Sequence, residues 1–161
     1  MKSWMVVFGM LLLLSCMGSK KQAGVLSWTV VKKITVTKLP CFGFCPEYEL
    51  TIQSNGMLLL NAKAKVKNDL KGNYHSVLKP VDRERIINSL KDMNFLSLKS
   101  KMGDRSISDL PSTETALVLT NGQTKKVLDY GNRGTAELER FYKMIEHIID
   151  IQEWTAGLAP D

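Results

Sequence analysis

Alternating apolar and polar residues dominate the middle of the chain. Residues 29–39 alternate β-branched side chains with lysine, which is the pattern of a half-buried strand. Two further alternating segments, 48–54 and 57–66, flank Asn55-Gly56, a dipeptide that favours a tight hairpin turn. Residues 73–78 have the same character. This part of the chain therefore predicts four strands in succession.

Two later segments change to helical spacing. Residues 82–96 repeat large apolar side chains at intervals of three and four, among them Ile86 and Leu90. Residues 138–152 do the same over a longer stretch that includes Phe141, which is typical of an amphipathic helix. Both segments are predicted to be helices with one apolar face.

A second hairpin lies between these helices. Residues 115–120 and 123–129 are predicted strands on either side of Asn121-Gly122. The order is then β-β-β-β-α-β-β-α. Consecutive hairpins predict an α+β fold, with an antiparallel sheet of about six strands and both helices packed on one face.

The first residues have the pattern of an export signal. Lys2 precedes an uncharged, mostly apolar run at residues 4–14, which is too short to span a bilayer and has the length of a signal-peptide core. Leu13-Leu14-Ser15-Cys16 then resembles the bacterial lipobox, in which the cysteine is acylated. We expect residues 1–15 to be a lipoprotein signal peptide and Cys16 to be lipidated. The alternative is an ordinary secretory signal cut near Cys16.

Lipidation would place the protein in the cell envelope. Residues 16–27 read as the lipidated cysteine and a flexible tether, with a root-mean-square span of roughly 17 Å, and residues 28–161 as a single domain. By resemblance to the sorting rule of enteric-type bacteria, Met17 after the cysteine favours the outer membrane, facing the periplasm. The expected partner is the lipid bilayer, through acylated Cys16, and nucleic acid is excluded as a partner.

Composition and the absence of known catalytic motifs limit the functions expected of this protein. The chain has 161 residues, 44% of them apolar, and a net charge of +6, which is typical of one globular domain. It contains no phosphate-binding loop, no nucleophile elbow and no metalloprotease motif. We expect no cofactor, no bound metal and no catalytic residue.

Cys41 and Cys45 form the most distinctive motif. An exported protein lies in an oxidising compartment, and the C-x3-C spacing allows the chain to double back into disulfide range. A structural disulfide is the leading interpretation. A thiol-redox pair is a second interpretation, and a metal site that also uses His75 and His147 is a third.

The residues around this pair resemble a known family. Cys41-Phe42-Gly43-Phe44-Cys45-Pro46-Glu47-Tyr48 is similar to the signature C-F-G-x-C-P-x-Y of bacterial envelope lipoproteins catalogued as a domain of unknown function. Ser108-Asp109-Leu110-Pro111 and Trp154 match further features of that family. The resemblance covers roughly residues 34–154. It implies the fold and the envelope setting, and it offers no catalytic residue to transfer.

Three lysines suggest a binding surface. Lys63, Lys65 and Lys67 alternate with small or apolar residues, so a strand period of two would place all three on one face. Such a face is a candidate patch for an anionic partner such as lipid headgroups or an envelope polysaccharide. The alternative is a solvated face that keeps a sheet edge soluble.

One long connection is a candidate functional loop. Residues 99–112 lack a regular pattern and include Asp104 and Asp109. The alternative is a surface loop with no role in binding.

These observations favour a membrane-anchored lipoprotein with a binding or accessory role toward an envelope protein or an anionic polymer. Two other functions stay open, namely an envelope enzyme of hydrolase or thiol-redox type, and an inhibitor of an envelope-attacking enzyme.

Overall fold

A computed structural model of the chain describes residues 26–159. The predicted signal peptide and Cys16 lie outside the described residues. The strands are β1 Val31–Leu39, β2 Glu47–Gln53, β3 Met57–Ala64, β4 Gly72–Val77, β5 Lys101–Met102, β6 Ser112–Leu119, β7 Thr124–Tyr130 and β8 Thr155–Ala156. The helices are α1 Pro80–Asp92 and α2 Ala136–Ile151, and short 3-10 turns span Lys67–Asp69 and Phe95–Ser97.

All eight strands form one mixed sheet. Their spatial order is β5-β7-β6-β1-β2-β3-β4-β8, so the two predicted hairpins, β2–β3 and β6–β7, lie on either side of β1. Neighbouring strands are antiparallel except at one edge, where β5 runs parallel to β7 with Lys101 opposite Leu128. At the other edge, β8 pairs with β4 only through Thr155 and Ala156.

The predicted fold class is wrong in the strand number, the strand direction and the order of elements. The sheet has eight strands and is mixed, and the order is β-β-β-β-α-β-β-β-α-β. The two missed strands, β5 and β8, have two residues each, which is too short for any alternation to appear in the sequence. They form because the chain passes an open sheet edge there, which is a tertiary effect.

Asparagine and glycine close both central hairpins. The Asn55 side-chain oxygen accepts a hydrogen bond from the Met57 amide at 2.9 Å, and Asn121 does the same with Gln123 at 3.0 Å. Gly56 and Gly122 follow with φ of 91° and 85°, a region that glycine enters without steric cost. The Asn-Gly pairs therefore form the turns of both hairpins, as the sequence predicts.

Only one face of the sheet is covered by helices. Ile34 and Val36 point into the core, whereas Thr35 and Thr37 lie on the opposite, half-exposed face. α1 and α2 bury their apolar sides against the inner face. The largest fully buried side chains are Tyr48, Phe95, Phe141, Ile34, Leu50, Ile52, Leu58, Leu60, Ile86, Ile87, Leu90 and Leu117.

The packed region begins before the first strand. Leu26 is only 5% exposed, and the Trp28 indole N–H donates to the Arg83 carbonyl on α1 at 3.0 Å. The chain therefore joins the domain beside the start of β1. We call this the entry end of the sheet; it also includes the β2–β3 turn and Val77, since the Leu78 amide donates to the Gly56 carbonyl at 2.8 Å.

β1 ends at Leu39, at the opposite end of the sheet. The nine residues of β1 separate the two ends by roughly 27 Å at about 3.3 Å per residue. The Cys41–Cys45 loop lies here, and we call this the disulfide end.

Candidate functional site: the disulfide loop

The connection from β1 to β2 is closed by a disulfide. Cys41 and Cys45 are bonded, with their Cα atoms 5.8 Å apart. The Gly43 amide donates to the Cys41 carbonyl at 2.9 Å, which tightens the turn inside the ring. The predicted disulfide is thereby confirmed, and the pair is held between the ends of two central strands of the sheet.

Two phenylalanines project from this loop into solvent. Phe42 is 92% exposed and Phe44 is 95% exposed, the highest values among the large apolar side chains of residues 26–159. An isolated exposed apolar residue is common, but two on one constrained turn form a projecting apolar tip. We call Phe42, Phe44 and the ring between the cysteines the disulfide loop.

Lys65 joins the loop to the end of β3. Its ammonium group donates to the Gly43 carbonyl and lies 4.5 Å from the centroid of the Phe44 ring. A cation at this distance is attracted by the ring face. Lys65 therefore helps to orient Phe44, in addition to the disulfide.

The three candidate lysines do not share a strand face. β3 ends at Ala64, and Lys65 has a φ of 55°, which is incompatible with a continued strand. Lys63 pairs with Glu47 at 3.4 Å, and Lys67, in a 3-10 turn, pairs with Asp150 at 2.7 Å. Each lysine has its own neighbour at the disulfide end, and binding of an anionic partner there stays a prediction.

A small cleft lies beside the loop. It has a volume of about 170 Å³, and its lining includes Tyr48, Lys67 and Asp150. Burial raises the pKa of the Tyr48 hydroxyl, and the nearby Glu146 and Asp150 carboxylates raise it further. The cleft therefore contains a protonated phenol, ion-paired charges and an apolar floor.

Behind the loop, a row of polar side chains crosses the inner face of the sheet. Asp129 on β7, Thr113 on β6, Lys38 on β1 and Tyr48 on β2 occupy consecutive cross-strand positions. All four are buried. A charged residue at an inward position costs free energy unless it has partners, so this row must be satisfied internally.

Helix α2 supplies the partners for Lys38. Its ammonium group lies 2.8 Å from the Glu146 carboxylate and 5.5 Å from the centroid of the Tyr142 ring. Glu146 is half-exposed, so the pair joins the buried row to the surface. This contact fixes α2 against the disulfide end of the sheet.

Asp129 is held at the start of α2. Its carboxylate accepts the Arg133 amide at 3.1 Å. Burial raises the pKa of the Asp129 carboxyl, although the neighbouring Gly134 and Arg133 amides, the Tyr142 hydroxyl and Lys38 act in the opposite direction. Asp129 thus orders the loop that leads into α2, at the cost of a buried charge.

The long connection at residues 99–112 is partly ordered against the sheet. It contains β5, and the Tyr130 hydroxyl donates to the Ile107 carbonyl at 2.8 Å. The Asp104 carboxylate accepts the Ser106 amide at 2.8 Å, which lowers the pKa of Asp104. Asp109 takes a φ of 60° just before Leu110. Asp104 thus stabilises a local turn, and a binding role for this loop and for Asp109 stays a prediction.

The uncovered face of the sheet forms a broad hollow with a mixed polar and apolar lining. It measures about 610 Å³ and is lined by Glu49, Thr51 and Asn61, with residues 157–159 along one side. The Thr35 and Thr51 hydroxyls are 3.2 Å apart on this face. The hollow is open to solvent.

Residues 26–159 contain no cluster of three or more histidine, cysteine, aspartate or glutamate side chains suited to a metal ion. Within the same part of the chain, no helix has both the length and the apolar character needed to cross a bilayer.

The strand alternation contains a signal for the buried polar row. Lys38 is an even number of residues from the inward-facing Ile34 and Val36, and Asp129 is two residues from the inward-facing Val127, so both charged side chains face inward. A charged residue at an inward position predicts a buried polar contact. The exposure of Phe42 and Phe44 had no comparable signal, because it depends on where the loop leaves the sheet.

The raised pKa of Asp129 predicts how stability depends on pH. The folded protein binds the proton of the Asp129 carboxyl more tightly than the unfolded chain, whose aspartate pKa is about 3.9. The contribution of Asp129 to stability therefore falls as pH rises from about 3.9 through the higher pKa of the folded state. Chemical unfolding of the wild type and Asp129→Asn across this range should show the wild type losing stability relative to the variant.

Asp69→Asn, at an exposed position, is the matched control for loss of one carboxylate. A difference between the wild type and Asp129→Asn that stays flat or grows with pH would contradict this account of Asp129.

Comparison with known proteins gives a family. No curated protein sequence matches the chain. Residues 32–149, more than two thirds of the chain, match the family model described as a domain of unknown function, DUF6438. The expected resemblance to a family of unknown function is confirmed to that extent, whereas its lipoprotein character and cysteine signature stay predictions. The chain belongs to the DUF6438 family.

Proposed function

We propose that this protein is a lipid-anchored binding module of the cell envelope, held at the outer membrane and facing the periplasm, which docks a protein partner through its disulfide loop. The observation that carries the proposal is the nearly complete exposure of Phe42 and Phe44 on a covalently closed turn. When a partner covers apolar side chains that are exposed to water, the free energy of the system falls.

The disulfide supports the proposed compartment. Disulfides form and persist in oxidising environments such as the bacterial periplasm and are rare in the cytosol. The lipobox-like residues 13–16 independently point to export and acylation. Both features agree with a protein that acts outside the cytoplasm.

The loop is suited to binding because it is ordered before a partner arrives. The ring between Cys41 and Cys45 and the contact from Lys65 to Phe44 restrict the conformations of the two phenylalanines. Ordering a free loop on binding costs roughly 0.5–1.5 kcal/mol for each immobilised side chain, and this loop avoids part of that cost. The partner is then expected to offer an apolar pocket.

The position of the loop agrees with a membrane-anchored domain. The chain joins the domain at the entry end, about 27 Å from the disulfide end at the rise of a strand. A domain held by its entry end can turn the disulfide loop away from the bilayer, where a periplasmic partner can reach it.

The charges around the loop favour an apolar contact over an anionic polymer. Lys63 and Lys67 are each paired with a carboxylate, and the Lys65 ammonium is engaged by the Gly43 carbonyl and the Phe44 ring of the loop itself. A second candidate function, inhibition of an envelope-attacking enzyme, is favoured by the same projecting loop, which has a shape suited to entering a cleft.

The anchor is tested at Cys16. Cys16→Ser removes the thiol that acylation needs, so we expect the domain to appear in the soluble periplasmic fraction or its processing to stop. Fractionation of cells that express each form measures this. A correctly cleaved Cys16→Ser protein that still fractionates with membranes would refute the lipid anchor.

The docking loop is tested by photo-crosslinking in intact cells. A benzophenone amino acid at Phe44 should give one discrete crosslinked product, and adding Phe42→Ser should reduce its yield about tenfold, because loss of a buried aromatic contact costs at least about 1.4 kcal/mol.

The same probe at Asn121, an exposed position in the turn between β6 and β7, is the matched control and should not give that product. Crosslinking that is equal at both positions, or that ignores Phe42→Ser, would exclude the disulfide loop as the docking element. If the captured partner is a hydrolase that loses activity on addition of the wild-type domain, the inhibitor function is favoured.

A further inference from the structure

Three exposed lysines at the entry end have no carboxylate partner within the described part of the chain. Lys32, Lys33 and Lys79 are exposed, and none of them forms an ion pair with any residue between 26 and 159. Backbone hydrogen bonds bring their segments to the same end of the sheet. The Ser54 amide donates to the Lys32 carbonyl at 3.0 Å, and Leu78, beside Lys79, donates to Gly56 in the same turn.

Exposed aliphatic side chains lie among these lysines. Val30 is 39%, Val77 is 63% and Val81 is 54% exposed. Val30 and Val77 flank the ends of β1 and β4, which are three strand spacings, or roughly 14 Å, apart. We call Lys32, Lys33, Lys79 and these three valines the entry face.

We infer that the entry face rests on the surface of a bilayer that contains anionic phospholipid. This inference rests on the proposed lipid anchor, since Cys16 is ten residues before Leu26 and the intervening chain reaches at most roughly 36 Å. A headgroup layer is therefore the surface that the entry face meets. Its negative charge complements the three lysines, and its outer region accepts small aliphatic side chains.

The acidic groups nearby do not cancel this charge. Asp82, in the first turn of α1, is paired with Arg85 at 3.1 Å. Two further carboxylates lie near this end: Glu84 lines the same groove as Arg83 and Trp28, and the Glu153 carbonyl accepts a hydrogen bond from the Ser76 hydroxyl at 2.6 Å, next to Val77. Lys32, Lys33 and Lys79, together with Arg83, outnumber these two carboxylates and leave an excess of positive charge on the entry face.

Contact between the entry face and the membrane surface fixes the orientation of the domain. An anchor alone leaves the domain free to rotate about its tether, whereas three lysines within a Debye length of the headgroups, about 8 Å at physiological salt, favour one orientation. With the entry face on the membrane, Phe42 and Phe44 point toward the periplasm.

Vesicle binding without the anchor tests the inference. The chain from Met17 to Asp161 retains every described residue and therefore the whole sheet and core. We expect it to bind vesicles of mixed phosphatidylglycerol and phosphatidylcholine, to bind pure phosphatidylcholine more weakly, and to dissociate as salt rises. Replacement of Lys32, Lys33 and Lys79 by glutamine should weaken binding about a hundredfold, since three lysines at about 1 kcal/mol each near an anionic surface contribute about 3 kcal/mol.

The matched control removes the same charge elsewhere. Lys71, Lys99 and Lys101 are exposed and lie away from the entry face, and their replacement by glutamine should change binding much less. Circular dichroism of both triple variants verifies the fold. Equal losses in the two triple variants, or binding that ignores salt or phosphatidylglycerol, would overturn the inference.

These outcomes are separable from those for the anchor. If Cys16→Ser shows that the protein is not acylated, lysine-dependent vesicle binding still supports the entry face. If Cys16 is acylated but the two triple variants bind alike, the anchor stands and the seated orientation is refuted.

Discussion

The packing of α2 on the inner face of the sheet is the contact on which the rest of the structure depends. Phe141, Ile145 and Ile148 are buried against the central strands, and each such side chain stabilises the fold by roughly 1.5–3 kcal/mol. The same helix positions Glu146 over Lys38 and Tyr142 beside Asp129. One helix therefore both completes the core and supplies the carboxylate that pairs with the buried Lys38.

This one-sided packing leaves three surfaces for function. The uncovered face is shallow and of mixed polarity, the disulfide end projects two phenylalanines, and the entry end displays lysines without a carboxylate partner among residues 26–159. The two ends differ in chemistry and lie at opposite ends of β1. An apolar tip fits a protein partner and a basic end fits a headgroup layer, so the fold separates the proposed binding and seating functions along one strand.

Much of this fold is predictable from local pattern. The hairpins at Asn55-Gly56 and Asn121-Gly122 and the two amphipathic helices follow from alternation, turn residues and helical spacing. The strands β5 and β8 do not, because a two-residue strand is defined by its neighbour and not by its own sequence.

The site was harder to predict than the fold. The alternation around Lys63 predicts a strand that continues to Val66, but Lys65 leaves the strand with a positive φ and instead contacts the disulfide loop. The pairing of Lys67 with Asp150 joins residues 83 positions apart. Such contacts depend on how α2 crosses the sheet, which local pattern does not contain.

The orientation of the anchored domain is the central claim, and one distance comparison tests it directly. The acylated protein is placed in anionic vesicles with an energy-transfer acceptor on the headgroups, and a donor is attached to an azidophenylalanine at either Val81 or Phe44. Energy transfer to the membrane should be strong from Val81 and much weaker from Phe44. Equal transfer from the two positions, or stronger transfer from Phe44, would contradict a domain that rests on its entry face and presents its disulfide loop to the periplasm.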